Sequence, residues 1–207
     1  MTYFFDIIII VLLFAAFGYS HSLLASDRFK KYLVKSIGTK IAFYRLFYNV
    51  SSMLILVVIY YISPKPSLKI YDLVYPYDLI VYGLQILSVI GFLWSATFID
   101  GGEFLGTSQI KRYFRGTYDT SELDERSRLV IRGPFKMVRH PLYLFSILFV
   151  GLRPVMNLFY LTFFICVALY FYIGSIYEER KLVERFGVQY EEYRKQVPRI
   201  FPIKLKM

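Results

Sequence analysis

The chain has 207 residues, of which 57% are hydrophobic and 20% aromatic, and it carries a formal net charge of +10. So high an apolar content argues against a soluble domain and indicates a membrane protein. Membrane topology and attraction to anionic lipid head groups explain the positive charge, so nucleic-acid binding is not expected. The single cysteine, Cys166, can form no internal disulfide and is expected to be a small core residue.

In chain order, the apolar runs predict five membrane segments, because about 20 residues suffice to cross the hydrocarbon. They are residues 3–24, 41–62, 78–99, 142–152 and 155–177. The fourth run is short, and the turn-forming sequence GLRPVMN lies at its end. Residues 142–177 are therefore predicted to form a helical hairpin with both ends at one membrane face. No basic segment precedes the first run, so a cleaved secretory signal is not expected.

Two polar stretches flank the predicted hairpin. Residues 100–140 mix basic and acidic side chains and are expected to form a loop with some local order. After the hairpin, apolar or aromatic side chains recur at intervals of three and four, at Leu182, Val183, Phe186, Tyr190 and Tyr193. This spacing predicts an amphipathic helix over the cytoplasmic face. Gly187 is expected to interrupt the helix, and Pro198 and Pro202 to end it.

The basic residues are unevenly distributed along the chain. Residues 28–45 hold six of the 25, residues 111–139 hold eight and residues 180–206 hold eight. The intervening segments hold only Lys65, Lys69 and Arg153. Since Lys and Arg are retained on the cytoplasmic side, the N-terminus is predicted to lie outside and the C-terminus inside, with a bacterial inner membrane as the expected location.

The sequence RGPFKMVRHPLYLF places charge at the start of a predicted apolar helix. Pro141 suits the first helical position, since its missing N–H would be unpaired there anyway. The amides of Leu142 and Tyr143, together with the helix dipole, then favour an anion. Arg139 and His140 add charge at the same place, so the start of this helix is a candidate anion site.

The second helix of the hairpin carries the sequence YEER to the same membrane face. A basic end beside a carboxylate pair suits a zwitterion, because Glu178 or Glu179 can accept bonds from an ammonium group or from ribose hydroxyls. Each residue alone also has a purely structural interpretation: Arg139 as a membrane anchor, Tyr143 as an interfacial aromatic, His140 as a helix cap, and the glutamates as partners of Arg180 or Lys181. The combination favours a binding site.

These motifs resemble a known family. GPFKMVRHPLY, the following hairpin and EERKLVERFGVQYEEYRKQVPRIFP are similar to the isoprenylcysteine carboxyl methyltransferase and phospholipid methyltransferase superfamily of integral membrane enzymes. HSLLAS, YRLFYN, EFLGTSQI and RPVM resemble its methanethiol S-methyltransferase branch. The C-terminal signature covers about 70 residues, and the N-terminal resemblance is looser.

The resemblance implies S-adenosylmethionine as the cofactor. It implies that Arg139, His140, Pro141 and Tyr143 hold the methionine end, that Glu178 and Glu179 serve the other polar parts, and that Arg199 helps to close the pocket. It also implies one methyltransferase domain over residues 1–207, made of three membrane helices (1–99), a cytoplasmic loop (100–140), and a cofactor-binding hairpin with a C-terminal helix (141–207). Accordingly, no strand is followed by the dinucleotide-binding pattern G-x-G-x-x-G.

Methyl transfer from a sulfonium is an in-line displacement that needs no catalytic nucleophile, and no metal site is predicted. If the acceptor is a thiol, His140 or His21 is a candidate to take its proton. A histidine bonded to another helix is an equal alternative for His21. Asp100 and Glu103 either face the substrate or pair with basic residues of their own loop.

Several functions remain open at this point. The acceptor is a small thiol by the branch resemblance, or a prenylated cysteine or lipid amine by the superfamily. Sterol-type reductases, which bind NADPH, share a similar C-terminal ending, although they are usually larger. A non-enzymatic membrane assembly factor of nitrogen-oxide metabolism would leave the paired charges without a role. The expected partners are the lipid bilayer and a small apolar or thiol substrate, and the sequence does not predict an oligomeric state.

Overall fold

A computed structural model of the chain describes residues 2–121, 123 and 128–203. Its helices are α1 (Thr2–Ala25), α2 (Asp27–Ile37), α3 (Tyr44–Ile62), α4 (Tyr77–Ala96), α5 (Gly101–Leu105), α6 (Thr107–Phe114), α7 (Pro141–Gly151), α8 (Leu158–Phe186) and α9 (Val188–Gln196). Short 3-10 turns span Gly38–Phe43 and Gly133–Lys136, and two strands span Lys69–Asp72 (β1) and Val155–Asn157 (β2). Parts of the predicted loop, at 122 and 124–127, and the chain end at 204–207 lie outside the described residues.

Four helical runs are long and apolar enough to cross a membrane, so the protein is an integral membrane protein of the all-α class. They are Tyr3–Ala25, Asp27–Ile62, Tyr77–Ala96 and Leu158–Phe186. The second run begins earlier than the predicted residue 41, because the polar helix α2 leads into α3 through the Gly38–Phe43 turn. Four of the five predicted membrane segments are therefore long helices.

The remaining predicted segment is the short helix α7. Its 11 residues rise about 16 Å, roughly half the thickness of the hydrocarbon. The six residues that follow, 152–157, add about 20 Å if fully extended, at about 3.3 Å per residue. The prediction of five membrane segments therefore stays a prediction.

The extended segment contains a strand that the sequence did not predict. β2 pairs antiparallel with β1, with Lys69 opposite Asn157 and Asp72 opposite Val155. The backbone hydrogen-bonding groups of each strand are thereby satisfied by the other strand. The GLRPVMN sequence is therefore a turn followed by a strand, and not a turn alone.

The C-terminal amphipathic helix differs from the prediction in its limits. Helix α8 continues without a break through Leu182, Val183 and Phe186, so the first half of the predicted amphipathic helix belongs to α8. The chain then turns at Gly187, where φ is +54°, a conformation that glycine adopts at little cost. Helix α9 follows and ends two residues before Pro198. The interruption at Gly187 and the end before Pro198 are as predicted, whereas Leu182, Val183 and Phe186 belong to α8 and not to a separate amphipathic helix. A position of α9 over the cytoplasmic face stays a prediction.

The described chain groups into two compact units. The first unit consists of Met1–Tyr3, Lys65–Ile99 and Leu129–Met207, and the second of Phe4–Pro64 and Asp100–Arg128. The division into 1–99, 100–140 and 141–207 and the single methyltransferase domain remain predictions.

Within the first unit, α7 packs closely against two helices. A Cβ on Gly91 of α4 would overlap the Phe145 ring, and one on Gly151 would overlap the ring of Phe164 of α8. At the start of α7, Val138, Leu144 and Ile147 form a buried apolar cluster with Ile200 from the C-terminal segment. This cluster holds the segment after α9 beside the N-terminus of α7.

Candidate active site

Two backbone hydrogen bonds join the residues before α7 to the segment after α9. The amide of Arg139 donates to the carbonyl of Pro198 at 2.9 Å, and the amide of His140 donates to that of Arg199 at 3.0 Å. Pro141 is the first residue of α7, as predicted. Arg139, His140 and Arg199 are thereby gathered at one end of α7.

Glu179 of α8 lies among these basic side chains at the start of α7, and only 3% of its surface is exposed. Its Oε1 accepts from Nε of Arg139 at 2.8 Å and lies 3.2 Å from Nε2 of His140. Its Oε2 accepts from Nη2 of Arg199 at 3.1 Å. One buried carboxylate therefore joins three basic side chains from two separate segments.

Arg139 is bonded to protein groups on all sides. Besides Nε, its Nη2 lies 2.8 Å from Glu179 Oε1. Its Nη1 donates to the carbonyls of Arg194 at 2.7 Å and Val197 at 2.8 Å. Arg139 thus ties the start of α7 to α8 and to the end of α9. Its predicted bond to the methionine end of the cofactor stays a prediction.

Glu178 is the accessible acid of the pair. Its side chain is 46% exposed, and its Oε2 accepts from the hydroxyl of Tyr143 at 2.7 Å. The Tyr143 ring stacks between His140, at 5.1 Å between centroids, and Phe171, at 4.6 Å. Within the described residues the side chain of His140 makes no capping bond to α7, so the capping interpretation is not supported.

Arg199 is the accessible base. Its side chain is 30% exposed, and its guanidinium lies 5.7 Å from the centre of the Tyr172 ring, within cation–π range. Its Nε is buried and has no hydrogen-bond partner within the described part of the chain. Tyr172 was missed by sequence reasoning, since a tyrosine inside an apolar run carries no distinguishing signal.

The other predicted site residues belong to the second unit. His21 lies against Tyr48, whose hydroxyl is 2.6 Å from Nε2, so this histidine is bonded to another helix. Asp100 caps α5 by accepting from the amide of Glu103 at 3.0 Å. Their catalytic and substrate roles stay predictions.

Glu103, which is also in the second unit, is 7% exposed. It forms an ion pair with Arg112 and accepts from Nε2 of Gln109 at 3.1 Å. Of the two interpretations offered by the sequence, this geometry favours pairing with a basic residue of its own loop. Within residues 2–121, 123 and 128–203, no group of three or more His, Cys, Asp or Glu side chains is arranged to hold a metal ion.

Four long apolar helices define the class, an integral membrane protein, and a charged cluster lies at one end of its short helix α7. Over 95% of its length the chain is 31% identical to methanethiol S-methyltransferase 1 of Bradyrhizobium diazoefficiens, 67% of which it covers. It is 29% identical to the methanethiol S-methyltransferase of Crocosphaera subtropica over 92% of the chain and 72% of that protein. It is 25% identical to that of Mycobacterium tuberculosis over 95% of the chain and 78% of that protein.

The chain belongs to the methanethiol S-methyltransferase family and is a membrane methyltransferase. The predicted resemblance is confirmed, and the reductase and assembly-factor alternatives are not favoured. No protein-family model and no solved structure matches the chain significantly.

Proposed function

We propose that the protein transfers a methyl group from S-adenosylmethionine to methanethiol. The thiolate sulfur forms a bond to the methyl carbon as the carbon–sulfonium bond breaks, giving dimethyl sulfide and S-adenosylhomocysteine, and the thiol proton is released. The observation that carries this proposal is the identity of 31% with a methanethiol S-methyltransferase over 95% of the chain. Isoprenylcysteine and phospholipid methylation are the alternatives.

The charged cluster fits the proposed cofactor. S-Adenosylmethionine, when bound, supplies an electrophilic methyl group on a sulfonium, and its amino-acid portion is a zwitterion. Glu178 offers a half-exposed carboxylate to an ammonium group or a ribose hydroxyl, and Arg199 offers a guanidinium with an unpaired Nε to a carboxylate. Opposite charges at neighbouring positions are the complement of a zwitterion.

The buried residues prepare this site. Arg139 and Glu179 hold the start of α7, the end of α9 and α8 in one arrangement, so Arg199 and Tyr143 do not have to be ordered when the ligand binds. Positioning and the exclusion of water supply much of the acceleration in a displacement between a thiolate and a cation. His140 and His21 remain candidates for accepting the thiol proton.

The rate of methyl transfer to methanethiol is expected to rise with pH. The thiolate is the attacking form, and its fraction grows about tenfold per pH unit below the pKa of the thiol. A carboxylate acceptor is already ionised, so it predicts a nearly flat profile between about pH 6 and 9. The measurement is a methyl-transfer assay across that range with methanethiol and a prenylcysteine analogue in parallel. Turnover of the prenylcysteine alone, with no methylated thiol at any pH, would contradict the proposal.

We further propose that the C-terminus and the 100–140 loop are cytoplasmic and that the N-terminus and the loop after α3 are outside, in a bacterial inner membrane. In a Cys166→Ser background, a cysteine at Thr117 is expected to resist a membrane-impermeant thiol reagent in intact cells. A cysteine at Ser67 should react readily and serves as the control, since both positions are exposed in the structure. The reverse pattern of labelling would invert the proposed topology.

A further inference from the structure

Tyr190 of α9 is buried, yet its hydroxyl is unpaired. The residue is 1% exposed, and its Oη has no hydrogen-bond partner within the described residues. Its neighbour Tyr193 is buried on the same helix but donates its hydroxyl proton to the carbonyl of Phe135. A buried hydroxyl without a partner is unfavourable and needs an explanation, which an absent ligand can supply.

Tyr190 belongs to a helix that contacts the charged cluster. Arg139 donates a bond to the carbonyl of Arg194, four residues after Tyr190 on α9. Burial raises the pKa of Tyr190, the charge of Glu179 raises it further, and the charge of Arg139 lowers it. The phenol is therefore neutral at physiological pH and within electrostatic reach of the Arg139–Glu179 pair.

A second unpaired donor belongs to the same cluster. The Nε of Arg199 is buried without a partner in the described part of the chain, while Nη2 of the same side chain binds Glu179. The Tyr190 hydroxyl and the Arg199 Nε–H can both donate a hydrogen bond, and the guanidinium of Arg199 is cationic. Their shared complement is an anionic acceptor.

We propose that the hydroxyl of Tyr190 and the Nε of Arg199 donate hydrogen bonds to the amino-acid carboxylate of the methyl donor. This inference rests on the proposed function, because it assumes that S-adenosylmethionine occupies the cluster. It adds Tyr190 to the binding site, a residue that the apolar spacing of the sequence marks only as a packing position. The ligand bond also explains the presence of a hydroxyl at a position where phenylalanine would fill the same space.

The test compares Tyr190→Phe with Tyr193→Phe, two substitutions that each remove one buried hydroxyl from α9. Affinity for S-adenosylhomocysteine is measured by titration calorimetry in detergent, and the melting temperature is measured without and with this ligand. Tyr190→Phe is expected to weaken binding about tenfold, the usual effect of losing a hydrogen bond to a charged group. Without ligand its melting temperature should equal or exceed that of the wild type, because an unsatisfied hydroxyl has been removed.

The control should behave in the opposite way. Tyr193→Phe loses the bond to Phe135 and should melt at a lower temperature without ligand, while its affinity stays within about twofold of wild type. Unchanged affinity in Tyr190→Phe overturns the inference and leaves the proposed function standing. A lowered melting temperature of ligand-free Tyr190→Phe also overturns it, since the hydroxyl would then have a protein partner. If the wild type does not bind S-adenosylhomocysteine, the proposed function fails and the inference fails with it.

Discussion

Arg139→Ala is expected to lower the free energy of unfolding by about 3 kcal/mol and to abolish measurable binding of S-adenosylhomocysteine. Breaking a buried ion pair by removing one partner typically costs about 3–5 kcal/mol. The loss is expected at the lower end of this range because Arg199 and His140 remain beside Glu179. The carbonyls of Arg194 and Val197 also lose their donor, so the end of α9 is held less firmly beside the start of α7. Denaturant unfolding in detergent and titration calorimetry measure the two effects.

Arg180→Ala is the matched control for this prediction. Arg180 follows Glu179 on α8 but is exposed, so its loss should change stability by less than about 0.5 kcal/mol. The pairing itself is tested by a double-mutant cycle with Glu179→Ala. The double variant should lose less stability than the two single variants together, by about 1–3 kcal/mol, because neither charge is then left buried alone. Additive losses would show that Arg139 and Glu179 act independently.

Glu103→Ala is expected to destabilise the protein by about 2–3 kcal/mol, because the largely buried guanidinium of Arg112 loses its bonds to the Glu103 carboxylate. Arg112→Ala should have a smaller effect, since the Glu103 carboxylate still accepts a bond from Nε2 of Gln109. Gln109 also loses an acceptor when Glu103 is removed. The measurement is the unfolding free energy of each variant in detergent.

The Glu103 prediction separates a structural role from a substrate role. Lys111→Ala is the control, because Lys111 precedes Arg112 on α6 and is exposed. Lys111→Ala should leave the unfolding free energy and the activation free energy of methyl transfer each within about 0.5 kcal/mol of wild type. If Glu103→Ala keeps its stability but loses kcat/KM, the carboxylate contacts the substrate, and the ion pair does not explain its presence.

Local properties of the sequence were sufficient for much of the fold. The length and composition of the apolar runs determine the membrane class, because hydrocarbon demands about 20 apolar residues whatever surrounds them. Pro141 begins α7 and Gly187 separates α8 from α9, as predicted, since each acts through its own backbone geometry. The strands β1 and β2 were missed because they are only four and three residues long and stabilise each other across a long stretch of sequence.

The sequence by itself determined that this is a membrane methyltransferase and which charged residues gather beside α7, because those motifs are local and carry the family resemblance. It did not determine which of those side chains are buried and which are accessible. Arg139 finds its acceptors on α8 and at the end of α9, and the packing of Ile200 against Leu144 and Ile147 places that segment. Hydrogen-bond partners that are distant in sequence are set by packing. Only the tertiary structure therefore decided that Arg139 is bonded to protein groups, while Glu178 and Arg199 remain accessible.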